Sequence, residues 1–208
     1  MHSATRCVTG GSWGNGGFRT LSRVVARCTL APGVTEEHPV PSFIALLRAV
    51  NVGGTGTLPM SDLVEMARAA GFGRPRTYIA SGNLVFDSPR TEGQVKAALE
   101  RSLADYAGKP LQVMVRTAAE MAAVLDANPF PDRAPNQTVV VFLDAAPPKD
   151  WRNGLVAPGG EEVRAGTREL YIHYGPGMAR SKLKLPAASA GTARNINTVA
   201  RLAAMANE

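Results

Sequence analysis

Residues Phe43 to Val50 read FIALLRAV, apolar at every position except Arg48. A run of that length suits a central strand with both faces covered. Asn51-Val52-Gly53-Gly54 follows, and glycine takes positive φ at little steric cost, so the strand is expected to run into a tight loop. A helix is predicted from about Pro59. Proline suits the first helical turn, Asp62 has the sign a helix N-terminus favours, and Leu63, Val64, Met66, Ala67 and Ala70 recur at helical spacing. Gly71-Phe72-Gly73 stops it. Arg76–Ala80 and Leu84–Phe86 read as two short strands with Ser81-Gly82 as the turn and Asn83 opening the return strand. Thr91 opens a second helix with Val95, Ala98, Leu99 and Leu103 on one side, ended by Gly108 and Pro110. A strand over Leu111–Val115 and a helix over Thr117–Ala127 complete the order β-α-β-β-α-β, which is the ferredoxin-like arrangement.

The Pro-rich stretch from Asn128 to Gln137 reads as a boundary. Beyond it the pattern repeats loosely. Thr138–Leu143 is an apolar strand, Pro147–Leu155 holds a short helix around Trp151, and Glu162–Ala165 with Glu169–Tyr174 forms a hairpin. Ser181–Ala187 reads as a short helix, Thr192–Arg194 as a strand, and Ile196–Ala206 as a closing helix carrying Val199, Leu202, Ala203 and Ala206. The fold class expected is α+β, with two ferredoxin-like halves over residues 41–128 and 129–208. Residues 1–40 show no lasting period and are expected to be a disordered tail or a start annotated too early.

Composition narrows the function classes. No apolar run approaches the roughly 20 residues of a membrane span, so the chain is expected to be cytoplasmic, without a membrane partner. Cys7 and Cys28 are the only cysteines, which leaves no disulfide framework and no cysteine-based metal site. Metal-ligand spacing is absent, and no cofactor is expected. The net charge is +6, of which the first 40 residues supply +2. That permits a polyanion partner without requiring one. Enzyme signatures are sparse. His173 is the only histidine beyond residue 40, no pattern pairs it with Ser81 or Ser181, and no Walker A or full G-x-G-x-x-G motif occurs. No catalytic residue is nominated. Tyr78 and Phe86 are the chief aromatics for stacking bases.

Candidate binding residues lie in loops and at element ends. Asn51, Gly53 and Gly54 form a glycine loop that ends on a helix N-terminus, a place where an anion can sit and equally a merely tight turn. Arg48 lies inside an apolar run, so it must be paired or face a cleft. Ser81, Gly82 and Asn83 form a turn whose polar tips can also meet a ligand. Arg180, Ser181 and Lys182 make a basic cluster, read as a phosphate contact or as a solvated loop. Asn195 is a natural N-cap for the last helix, whereas Arg194 is not explained by capping. These residues are predicted to gather around one or two clefts between the halves.

Four segments carry a family resemblance: LLRAVNVGG at Leu46–Gly54, YIASGNLVF at Tyr78–Phe86, GMARSKL at Gly177–Leu183 and TARNINTVARL at Thr192–Leu202. In that order and spacing, the chain from Pro41 to Ala206 resembles the bacterial domain-of-unknown-function family numbered 1697. The resemblance implies an α+β fold with ferredoxin-like halves and brings no established activity. The expected partner is a phosphate-bearing small molecule or a nucleic acid. The alternative is an oligomeric interaction or structural module without ligand chemistry. Oligomeric state is left open.

Overall fold

The structure is a computed structural model that describes residues 40–50 and 58–208. The N-terminal stretch before Val40 and the loop holding Asn51, Gly53 and Gly54 lie outside the described residues. The first apolar run forms β1 (Ser42–Leu47), buried along nearly its whole length. Successive side chains of a strand point to opposite faces. Phe43, Ala45 and Leu47 therefore enter one apolar cluster, and Ile44 and Leu46 enter another. The strand ends earlier than its apolar pattern, because Ala49 takes φ +53 and turns the chain.

α1 (Met60–Ala69) follows, burying Leu63 and Ala67. β2 (Gly73–Thr77) and β3 (Asn83–Asp87) form the hairpin. Its loop is Tyr78–Gly82, longer than the two-residue turn the pattern implied, since Tyr78 N–H bonds Asn83 O and Ile79 stands at φ +49. α2 (Glu92–Ala107) starts at Thr91 with a full capping box to Gln94 and ends at Gly108 in the left-handed region. β4 (Val113–Thr117) leads directly into α3 (Ala118–Asp126), capped by Thr117 with Glu120. The four strands make an antiparallel sheet in the order β2-β3-β1-β4.

The second half builds a sheet of the same order, β6-β7-β5-β8, from β5 (Thr138–Phe142), β6 (Glu162–Ala165), β7 (Glu169–His173) and β8 (Thr192–Asn195). Its two connections differ from expectation. Pro147–Leu155 forms turns rather than a helix, and the chain around Ser181–Ala187 is extended between two 3₁₀ turns, Gly175–Arg180 and Pro186–Ala188. Pro147, Pro148, Pro158, Pro176 and Pro186 remove backbone donors that helices there would need. Leu183 and Leu185, two residues apart, instead pack inward beside Trp151 on Val141, Val163 and Ile172.

α4 (Ile196–Ala206) closes the described chain. It packs on α3 and touches β1 and β3 of the first sheet and β5 of the second. One apolar cluster therefore spans both halves: Ile44, Leu46 and Met114 from the first sheet, Val140, Phe142 and Tyr171 from the second, with Met121, Val124, Val199 and Leu202 between.

Candidate functional site

Two groups of side chains separate the expected site residues. The first is a junction between the halves. Thr192 and Arg194 alternate on β8, so both face inward. The Arg194 guanidinium spends every N–H on protein acceptors. Its Nε donates to Asn83 Oδ1. Nη1 donates to Thr192 Oγ1 at 2.7 Å and Ala193 O at 2.8 Å. Nη2 donates to Leu47 O and Ser81 O, both at 2.9 Å, and to Gly82 O at 3.3 Å. The charge is 8% exposed and has no carboxylate partner among the described residues. Burial lowers its pKa to about 10, so it stays protonated at neutral pH.

The rest of the hairpin tip is shaped around this contact. Asn83 is fully buried and donates to Tyr78 O and Ser81 Oγ, both at 2.9 Å. Gly82 stands at φ +71, and a Cβ there would lie 2.9 Å from Leu47 Cβ, so only glycine fits. Thr192 Oγ1 donates to Leu47 O at 3.1 Å. Arg48, expected within the strand, lies half-buried in the bend after it. It donates to Gln112 Oε1 at 2.7 Å and Ser189 O at 2.6 Å, which ties a second point across the halves. Asn195 caps α4 through Asn197 N–H at 2.9 Å and donates to Asn136 O at 3.0 Å.

The second group lies on the second half alone. Arg180, Ser181 and Lys182 line an open cleft of about 360 Å³ with Glu161, Tyr174 and Gly159. Ser181 Oγ donates to Glu161 Oε1, and Gly159 N–H donates to Glu161 Oε2 at 2.9 Å. The Ser181 bond above all holds the Glu161 carboxyl below the usual range. Burial, with the Glu161 charge nearby, raises the Tyr174 phenol. Arg180 and Lys182 are exposed and form no ion pair with any described residue. Their donors are free for a ligand.

A third group was not anticipated. Arg116 on β4 is 1% exposed and bonds Glu169 Oε1 of β7 through Nε at 3.1 Å and Nη2 at 3.0 Å. It also donates to Leu143 O at 2.7 Å and Val115 O at 2.8 Å. Burial lowers its pKa, with the Arg168 charge adding to the effect. Arg168 in turn bonds Glu92 at 2.8 Å and Glu120 at 2.7 Å, the first turns of α2 and α3. The Glu92 hydrogen bond raises the Arg168 pKa. This chain of charges floors a cavity of about 300 Å³ between α3 and the β6–β7 turn, where Tyr171 donates to Val124 O at 2.8 Å. The strand expected over Leu111–Val115 stops one residue short of Arg116, which is the one charged residue of β4.

Other expected chemistry finds ordinary explanations. His173 is buried with Nδ1 3.2 Å from Thr138 Oγ1. Phe86 is 1% exposed and stacks on Phe72 at 4.4 Å, so it is closed to a base. Among the described residues no His, Cys, Asp or Glu cluster has the makings of a metal site, and no helix is long and apolar enough to cross a membrane.

Fold and sites together define a mixed α/β protein of two four-stranded antiparallel sheets, joined through buried arginines, with an open cleft at Arg180 and Lys182. The chain belongs to the family described as protein of unknown function, DUF1697, whose model matches residues 40–171. The motifs at Gly177–Leu183 and Thr192–Leu202 lie beyond the matched residues. Among solved structures, the chain is similar to the conserved bacterial protein SP0830 from Streptococcus pneumoniae. The TM-score is 0.67 at 20% identity, over 80% of this chain and 99% of that one, a likeness of fold. No curated protein matches the sequence.

Proposed function

We propose that the Arg180–Lys182 cleft binds a phosphate group, carried by a nucleotide or a nucleic acid. One observation carries this reading. Arg180 and Lys182 line a single open cleft with donors that no described residue uses, whereas the buried arginines spend theirs internally. Arginine grips phosphate through paired N–H donors and lysine through a point charge. Glu161 lowers the net charge of the cleft to one positive unit, yet its oxygens are occupied by Ser181 and Gly159. The halves are read as ferredoxin-like, on the strength of the strand order they share, and the protein as cytoplasmic. Calorimetric titration of the full chain with inorganic phosphate and ATP at low salt tests the reading. Arg180→Ala is expected to weaken binding by about 1–3 kcal/mol while unfolding stays cooperative. Absence of any phosphate or ATP binding at low salt overturns it.

A specific observation favours a second reading, an interaction or structural module. Arg194, Asn83 and Gly82, all expected to meet a ligand, are consumed in holding the halves together. Salt separates the readings, because phosphate neutralisation makes affinity fall with salt and a purely structural role does not.

A further inference from the structure

The two connections that cover the outer face of the second sheet hold more than the cleft. Five exposed cations lie on them: Lys149, Arg152, Arg180, Lys182 and Lys184, with the Arg152 guanidinium stacked 4.3 Å over the Trp151 ring. None has an ion-pair partner among the described residues. The acids of the same connections are otherwise engaged. Asp144 pairs with Lys96 of α2 at 2.5 Å, Asp150 accepts from Asn153 at 3.1 Å, and Glu161 is buried under Ser181. Apart from buried Arg194, the other cations of the second half contact carboxylates: Arg133 and Arg164 share Glu162, Arg168 has Glu92 and Glu120, and Arg201 has Glu208.

The connections form one continuous layer. Val156 and Lys184 make an antiparallel bridge, with N–H to O distances of 3.0 and 2.9 Å. Beside it Gly154 meets Pro186, and Pro158 shares the cleft with Lys182. From Ser181 to Pro186 the chain alternates half-buried and exposed residues. Leu183 and Leu185 face the core while Lys182 and Lys184 face outward, about 7 Å apart at strand rise. That step is comparable with the spacing of successive phosphates along an extended strand. Exposed Val156 and Met178 lie on the same layer, offering apolar contact to bases.

We propose that this layer is a docking surface for single-stranded nucleic acid, its unpaired cations meeting successive phosphates and the Arg180–Lys182 cleft taking one of them. The proposal rests on the phosphate reading of that cleft and extends it from one phosphate to a chain of them. Unpaired cations gathered on one layer, with Lys182 and Lys184 spaced at strand rise, suit a chain of phosphates. A membrane surface calls for a broad apolar patch, and among the described residues of this layer only two large hydrophobic side chains, Val156 and Met178, are exposed.

The test is fluorescence anisotropy of a labelled 20-nucleotide single strand with the full chain, run beside calorimetry with inorganic phosphate. With about four phosphates neutralised, affinity is expected to fall roughly 50-fold between 50 and 200 mM salt. Lys149→Glu with Lys184→Glu, neither of which lines the cleft, is expected to weaken the oligonucleotide at least tenfold and leave phosphate binding unchanged. Arg101→Glu with Lys109→Glu makes the same charge change on the first half and is expected to have little effect. Phosphate binding without tighter oligonucleotide binding overturns the surface and spares the cleft. No binding of either overturns both. Equal loss in the two double variants, or stronger capture by phosphatidylserine vesicles than by the oligonucleotide, also overturns the surface.

Discussion

Arg194 and Arg180 both sit beside glycine and both looked, in sequence, like hands held out to an anion. Their surroundings give them opposite work. Arg194 enters a ring of carbonyls from Leu47, Ser81 and Gly82 with the Asn83 amide, and nothing of its guanidinium is left over. Arg180 stands at the end of a 3₁₀ turn in water, with no described acid to hold it. A buried arginine without a carboxylate is stable only when its N–H groups are all satisfied, because an unpaired buried donor costs about 1–3 kcal/mol. What distinguishes an anchoring arginine from a binding one is thus the supply of spare carbonyls, which strand ends and hairpin tips provide.

The sharpest way to break this contrast is at the buried charges. Glu169→Gln leaves Arg116 charged, buried and without its counter-ion, and is expected to cost about 3–5 kcal/mol in urea unfolding. A cost near zero would mean that neutral acceptors around Arg116 suffice, as they do for Arg194. Next comes Arg194→Met, which removes charge and donors together. It strands Ser81 O and Asn83 Oδ1, and about 2–4 kcal/mol of stability is expected to go with them. A loss below about 1 kcal/mol would return Arg194 to the list of binding residues.

Smaller effects sharpen the other side. Arg180→Ala is expected to change stability by no more than about 0.5 kcal/mol, the scale of a solvated surface substitution. A larger loss would show the 3₁₀ turn depending on that side chain. The smallest effect concerns pH. Burial works against the Glu120 charge, but the Thr117 N–H and the Arg168 guanidinium together hold its carboxyl below the ordinary value. A depressed folded-state pKa stabilises above the unfolded value and is lost as pH falls through the folded one. Glu120→Gln keeps the capping box and removes the charge, so its unfolding free energy is expected to fall less steeply below about pH 4 than that of the unaltered protein. Parallel acid limbs would show that Glu120 contributes nothing through ionisation.

Local signals proved readable and distant ones did not. Thr91 is expected to open a helix and does, its capping-box partner Gln94 lying only three positions on. The apolar run of β1 announced a strand covered on both faces, and its side chains do enter two cores. Arg194 is recognisably more than a cap, yet its acceptors in the first half lie 111 to 147 residues earlier, beyond any periodicity. Arg116 and Glu169, separated by 53 residues, were missed although each is a charge in an otherwise apolar strand. Of the helices expected in the second half, Ile196–Ala206 forms, whereas Pro147–Leu155 and Ser181–Ala187 do not, because prolines and apolar residues two apart suit turns and extended chain there.

The placement of α4 has a consequence for synthesis on the ribosome. The last described helix covers Ile44, Leu46 and Met114, which belong to the earliest strands. At translation rates of ~5–20 residues per second, the first sheet waits roughly 5–20 s after β4 emerges before that helix can reach it. Throughout that interval a nascent chain carries an oily face that α3 covers only in part. Cells that make this protein must either shield that face or make the protein slowly and sparsely enough that two such faces rarely meet.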